Sequence, residues 1–198
     1  MKINLTQNKN FKLFKIISKV AQENNQTVYI VGGYVRDLLM QRKAPTDIDF
    51  VTEQSGIELA KAVGKELGDL KVSVFKTYGT AMIKYHDLDL EFVGARKESY
   101  SEDSRKPAVE TGTLEDDQKR RDFTVNALAI SLNAENFGEL IDPFNGREDM
   151  QNKILRTPLE PAQTYSDDPL RMMRAIRFAS VLHFEIEKNS LEAIKQEA

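Results

Sequence analysis

The sequence predicts an α+β fold, and three patterns carry that prediction. Short β-prone apolar runs at 27–31, 48–51, 72–75, 80–85 and 88–93 alternate with stretches of helical period. Glycine, proline and polar clusters separate these runs, as turns require. A strongly apolar helical pattern from Asp168 to Phe184 follows, and another helix begins at Leu191.

The elements follow in order. Phe11, Phe14, Ile17 and Val20 or Ala21 line one face of a first helix that ends near Asn24. A strand over 27–31 stops at Gly32-Gly33, and Tyr34 to Met40 reads as a helix. Pro45-Thr46 breaks the chain before the strand Ile48-Asp49-Phe50-Val51, and Ile57 to Leu67 is helical. Three more strands follow, the last two separated by His86-Asp87. From Lys97 to Thr113 no apolar period survives, so the expectation is a long loop of the kind that serves function or stays mobile. Order resumes at Leu114, with an apolar segment over 123–130, the pair Leu140-Ile141 and a turn over 142–146. The last residues, Lys195-Gln196-Glu197-Ala198, carry no helix stop signal, which predicts a chain cut from a longer protein.

Composition bounds the chemistry. The 198 residues, 40% hydrophobic and 30% charged, describe a globular chain with a proper core and room for part of a second domain. With no cysteine, disulfides and thiolate zinc sites are excluded, and the two histidines, His86 and His183, lie too far apart in sequence to suggest a metal pair. No signal peptide or membrane span is present, so a cytoplasmic location with no membrane partner is expected. A net charge of −3 lacks the basic excess of a protein that grips nucleic acid mainly through phosphates.

Chemistry-bearing residues appear first at Val31-Gly32-Gly33-Tyr34-Val35-Arg36-Asp37. A strand running through glycines into a helix lets backbone approach a phosphate, and Arg36 could add a cationic fork. The same residues also describe a plain strand–turn–helix corner. In Asp47-Ile48-Asp49-Phe50 the period of a strand puts both aspartates on one face and the apolar pair on the other. Two such carboxylates repel unless a cation sits between them, and hard oxygen ligands suit Mg²⁺. Asp87, Asp89 and Glu91 alternate with apolar residues on a neighbouring strand, and periodicity does not choose among them for a third ligand.

Further along, Arg120-Arg121-Asp122 precedes an apolar segment, where Asp122 could cap a helix from Phe123 and Arg121 could reach a triphosphate. Asp168-Pro169 makes a natural helix start for the segment that follows. That helix is apolar almost all round, which predicts burial, yet Arg171, Arg174 and Arg177 spread over about 120° of its wheel. Arginines near a core need an anion; a nucleotide would serve, as would acids such as Asp167 or Glu185.

Taken in order, Gly-Gly-x-Val-Arg-Asp, Asp-x-Asp, Arg-Arg-Asp-Phe-Thr-x-Asn-Ala and Asp-Asp-Pro-Leu-Arg-x-x-Arg-x-x-Arg-Phe-Ala resemble the bacterial tRNA nucleotidyltransferase/poly(A) polymerase family, which contains the class II CCA-adding enzymes. The resemblance runs from about Val28 to the end. It implies a nucleotidyltransferase head with a mixed β-sheet flanked by helices over 1–157, then the start of an all-α neck over 158–198. It assigns two catalytic Mg²⁺ ions to Asp47, Asp49 and Glu91, and nucleotide binding to Gly32, Gly33, Arg36, Arg121, Asp122 and Asn126. Asp168 and Arg171 match the pair that selects the base, with Arg174 and Arg177 reaching the phosphates. The implied reaction adds CMP and AMP from CTP and ATP to the 3′ end of an RNA, a tRNA above all. A-only addition, a poly(A) product and a non-catalytic nucleotide-binding module are the alternatives. The chain departs from the family's usual pattern at Asp167, where Glu is common, and at Gly94-Ala95-Arg96.

Overall fold

The computed structural model describes residues 1–43, 45–101 and 104–197; for 78, 97–101 and 104–109 it describes the backbone alone. Its centre is a mixed seven-stranded sheet in the order β3-β4-β5-β2-β1-β8-β9. The strands are β1 (Tyr29–Val31), β2 (Asp47–Thr52), β3 (Val72–Phe75), β4 (Thr80–Tyr85), β5 (Leu88–Gly94), β8 (Ala129–Ser131) and β9 (Leu140–Ile141). Every neighbouring pair is antiparallel except β2 and β5, which run parallel with Asp47 beside Asp89 and Asp49 beside Glu91.

The main core lies under one face of this sheet. Helix α1 (Phe11–Glu23) presents Leu13, Phe14, Ile17 and Val20 to it, and α3 (Gly56–Glu66) adds Leu59, Ala60 and Val63. They meet Ile48, Phe50, Leu90 and Phe92, all fully buried, with the rings of Phe50 and Phe92 stacked 5.0 Å apart. The side chain of Ser55 caps α3 by accepting the N–H of Glu58 at 3.2 Å. The opposite face carries a smaller apolar set, Val31, Val51, Ala95, Leu114 and Ala129. Leu114 opens α4 (Leu114–Lys119), whose start is fixed by a capping box between Thr113 and Asp116.

Helix α2 (Gly33–Leu39) leaves β1 through Gly32, whose φ of 73° and ψ of −138° suit glycine alone. Past the sheet come α5 (Gly146–Asn152), the short parallel pair β10 (Ile154–Leu155) and β11 (Glu185–Ile186), α6 (Pro161–Asp167), α7 (Leu170–Leu182) and α8 (Lys188–Glu197). A third apolar cluster, Phe123, Val125, Leu155, Ala175, Leu182 and Phe184, fastens α7 to the segment after α4. The α+β class and the mixed sheet flanked by helices are therefore as expected.

Several local expectations need correction. The predicted loop over 97–113 contains two paired strands, β6 (Arg96–Ser101) and β7 (Ser104–Thr111), in a sheet of their own; positions 102 and 103 lie outside the described residues. A hairpin separate from the main sheet needs only backbone pairing, so its sequence carries no apolar alternation to detect. No α-helix starts at Phe123: a 3₁₀ turn, Thr124–Asn126, stands there, with Phe123 at its N-cap. Asp87 lies in the turn before β5, so it does not share a strand face with Asp89 and Glu91. Helix α7 is not buried all round either. Only Ala175 and Leu182 are buried, while Leu170, Met173, Ile176 and Val181 are 51–65% exposed, because its packing partners touch one side.

The stacked Phe50 and Phe92 hold the sheet to its helices. Phe50→Ala is expected to cost about 3–5 kcal/mol of unfolding free energy, read from the midpoint of a urea melt at constant slope.

Candidate active site

The strand period and the parallel register build an acidic edge. Along β2 the side chains of Ile48 and Phe50 go into the core, which turns Asp47 and Asp49 to the other face. On β5, Leu90 and Phe92 do the same and leave Asp89 and Glu91 outward. Asp89 is taken up by Lys84 at 2.8 Å, so Glu91, beside Asp49 in the register, is the acid that faces the cleft. Burial pushes the Asp49 carboxyl above its ordinary range; Arg121 opposes this, and Asp47 adds to it. Burial, then the charges of Asp49 and Asp47, raise Glu91 in the same way.

A carboxylate cluster strained by desolvation and mutual repulsion is what a divalent cation relieves. Among the described residues no three acids or histidines close into a ready metal cage. Mg²⁺ does not demand one, since it commonly takes one or two carboxylates and fills its shell with water and substrate phosphates. The donor set therefore fits Mg²⁺.

Two recesses of about 340 and 400 Å³ meet at Asp49 and Arg121, which line both. The first also holds Glu91, Thr80 and Arg120. The second holds Asp47, Gly33, Arg36, Asp122, Asn126, Arg174 and Arg177. Acids and guanidinium groups thus line the same two recesses.

Each arginine but one is held from behind. Arg36, 8% exposed, donates Nη1–H to Asn126 Oδ1 at 2.6 Å and Nε–H to Asp37 at 2.9 Å. Asn126 in turn donates to Asp122 Oδ1 at 3.0 Å, and Asp122 Oδ2 accepts from Arg174 at 2.7 Å. Arg121 is clamped to Asp117 at 2.9 and 3.0 Å. Burial works against the charge of Arg121, but Asp117 and then Asp49 outweigh it and strengthen the cation. Arg177 is exposed, and its recorded partner among the described residues is the ring of Phe178, 5.5 Å away. That ring also faces Arg36 at 5.3 Å and Arg174 at 5.2 Å, so three guanidinium groups surround one aromatic face.

The sequence-predicted residues thus divide. Asp47, Asp49, Gly33, Arg36, Arg121, Asp122, Asn126, Arg174 and Arg177 line one recess, and Glu91 lines the adjoining one. Gly32 lies beneath them, with Arg121 over its Cα. Asp168 and Arg171 line neither recess. Arg171 donates to the carbonyls of Arg120 at 2.8 Å and Thr164 at 3.4 Å and pairs with Asp168 at 3.8 Å. The acids that answer the arginines of α7 are Asp168 and Asp122, not Asp167 or Glu185. Asp122 caps no α-helix; its Oδ1 accepts the N–H of Phe123 at 2.9 Å.

Sequence reasoning passed over Asp117, Arg120 and Phe178. A signal for the first existed: Asp117 stands three and four residues before Arg120 and Arg121, the spacing of neighbours on a helix. Phe178 carried no signal beyond an apolar position. A Cβ at Gly32 would come within 2.8 Å of Arg121 Nη1 and 3.6 Å of Asp49 Oδ2. Gly32→Ala is accordingly expected to cost about 1–3 kcal/mol from the backbone alone and to displace Arg121. Thermal melts measure the first effect, and a changed NMR signal of the Arg121 guanidinium group measures the second.

Comparison with known proteins places the chain in a family. Residues 28–156 match the model of the poly A polymerase head domain. The chain is 44% identical over 168 residues to the A-adding tRNA nucleotidyltransferase of Aquifex aeolicus, covering 85% of this chain and 20% of that enzyme. A solved CCA-adding enzyme in an apo form superposes with a TM-score of 0.87 at 36% identity, over 96% of this chain and 44% of the other. A tRNA nucleotidyltransferase solved with a primer tRNA and an incoming ATP analog gives a TM-score of 0.81 at 39% identity, over 91% of this chain and 49% of that one. The chain spans a fifth of the Aquifex enzyme and less than half of each solved structure. By the extent of the match and the motifs that carry it, the chain belongs to the poly A polymerase head domain family.

Proposed function

We propose that this chain is the nucleotidyl-transferring part of an enzyme that adds nucleotides to the 3′ end of tRNA, using CTP and ATP with two Mg²⁺ ions. The carrying observation is the register of β2 and β5, which sets Asp49 beside Glu91, with Arg36, Arg121, Arg174 and Arg177 lining the recesses that meet there. Residues 1–157 form the catalytic head in this reading, and 158–198 begin the helical neck.

Asp47, Asp49 and Glu91 would hold the metal ions, which would supply charge neutralisation and acidification of an attacking hydroxyl for an in-line displacement. The arginines hold the triphosphate so that its α-phosphorus meets the 3′ oxygen, a contribution of orientation and preorganised charge. Arg177, which among the described residues meets only an aromatic ring, is the cation readiest to take a phosphate. Arg174 and Arg36 already lean on Asp122 and Asn126, so they reach the ligand from fixed positions. No protein nucleophile is needed. Asp168 and Arg171 take the role of reading the base edge; because Arg171 is held by two carbonyls, base reading requires that it leave at least one of them.

A second reading, addition of A alone, is favoured by the A-adding activity named for the Aquifex relative. Two tRNAs, one ending at the discriminator base and one ending in CC, offered CTP and ATP separately, distinguish the products. CCA addition is expected to incorporate CTP on the first and ATP on the second. A-only addition incorporates ATP on the second and CTP on neither. Incorporation of neither nucleotide on either tRNA would sink the proposal.

Asp49→Asn is expected to lower the incorporation rate by at least about 10²-fold, the scale on which a charge-stabilising group is lost from a reacting site. Its thermal melt should not fall, because the exchange removes a desolvated charge. An undiminished rate would rule out the acids as metal ligands.

A further inference from the structure

Asp117 takes no part in the reaction described above, yet it is the most deeply buried acid near the cleft, with no exposed side-chain surface. It stands on α4, and both of its oxygens are used: Oδ1 by Arg120, and Oδ2 by Nε and Nη2 of Arg121 at 3.0 and 2.9 Å. Despite its burial the two arginines hold its carboxyl below the usual range. It does not line either recess, so it has no access to a ligand.

The remaining guanidinium nitrogen of Arg121 rests over Gly32, toward the carbonyl of Asn126 at 3.4 Å. Asp49 is close enough for its charge to strengthen that of Arg121, yet no ion pair between them appears among those of the described residues. A buried arginine beside two acids pairs with whichever is better placed. Here the geometry favours Asp117.

We propose that Asp117 is a positioning residue that holds Arg121 clear of Asp49, keeping that carboxylate open to a divalent cation while the guanidinium faces incoming phosphates. The proposal rests on the metal-site reading of Asp49 above. Without the acid at 117, Arg121 has Asp49 as an alternative anion: both border Gly32, where a Cβ would lie 2.8 Å from Arg121 Nη1 and 3.6 Å from Asp49 Oδ2. It would swing onto that carboxylate and close the site by an internal ion pair.

The test uses Mn²⁺ as the probe, followed by electron paramagnetic resonance on the whole chain without nucleotide, with thermal melting in parallel. Asp117→Asn keeps the shape and removes the charge, and is expected to weaken Mn²⁺ binding roughly tenfold, the scale typical of residues that orient a metal ligand. Adding Arg121→Gln is expected to restore binding to the level of Arg121→Gln alone, an effect that a purely structural role of Asp117 would not produce. Unchanged binding in Asp117→Asn, or failure of the second substitution to restore it, overturns the proposal. Should Asp117→Asn not fold, the double variant, which removes both buried charges, is compared with Arg121→Gln alone. Weaker Mn²⁺ binding in the double variant than in Arg121→Gln then overturns the idea. Asp49→Asn separates the two layers of the argument: if it leaves Mn²⁺ binding intact, the metal-site reading itself fails. If it abolishes binding while Asp117→Asn does nothing, only the positioning role fails.

Discussion

The parallel pairing of β2 with β5 is the constraint on which the site rests. Because side chains alternate along a strand, a slip of one residue would turn Asp49 into the core and put Ile48 in its place. That slip is opposed by Ile48, Phe50, Leu90 and Phe92, all fully buried on the other face. Each such side chain contributes about 1.5–3 kcal/mol by its burial, so the apolar face, not the half-buried Asp49 and Glu91, holds the register. Acids that repel one another are thus kept adjacent by apolar contacts on the opposite side of the same backbone. The strain that makes Asp49 and Glu91 harder to ionise than ordinary carboxyls is tolerated because the core decides the geometry.

The cationic wall solves the inverse problem. Long arginine side chains lose considerable freedom when fixed, and a ligand that had to order four of them would bind weakly. In this cleft most of that ordering is done in advance by Asp117, Asp37, Asn126 and Asp122, each bonded to an arginine or to the residue that holds one. Buried ion pairs of this kind contribute little net stability. Their value here is position, with the ring of Phe178 fixing the rims of three guanidinium groups at once.

Much of this could be read from the residues in order. The apolar alternation of β2 and β5 and the helical faces of α1 and α3 were visible because each buries one side, which is the only feature periodicity detects. Elements without that asymmetry escaped notice: the β6–β7 hairpin lies in a separate sheet. Helix α5 is a polar stretch whose first N–H groups are accepted by Asp142, at 2.7 and 2.9 Å. Periodicity placed Asp89 and Glu91 on one face but could not separate them, since the distinction comes from Lys84 on the next strand. Helix α7 misled for a related reason. Its composition describes an apolar wheel, but burial depends on which neighbours arrive, and Leu170, Met173, Ile176 and Val181 stay more than half exposed.

The overall charge of −3 shows why composition alone is a poor guide to such a site. A nucleotide triphosphate does not sense the sum of charges; it senses the field within a cleft, where low-dielectric walls concentrate the effect of nearby groups. Many of the chain's acids are spent in local pairs, such as Glu58 with Lys61 and Glu192 with Lys195, that cancel within a few ångströms of the surface. Screening by salt then removes most of what remains beyond about 10 Å. Inside the recess, Arg36, Arg121, Arg174 and Arg177 share the lining with Asp47 and Asp49, the cluster a divalent cation would neutralise, while Asp37 and Asp122 are already paired with Arg36 and Arg174. Once that cluster carries metal, the cleft as a whole turns positive, so metal and triphosphate each make the site more favourable for the other.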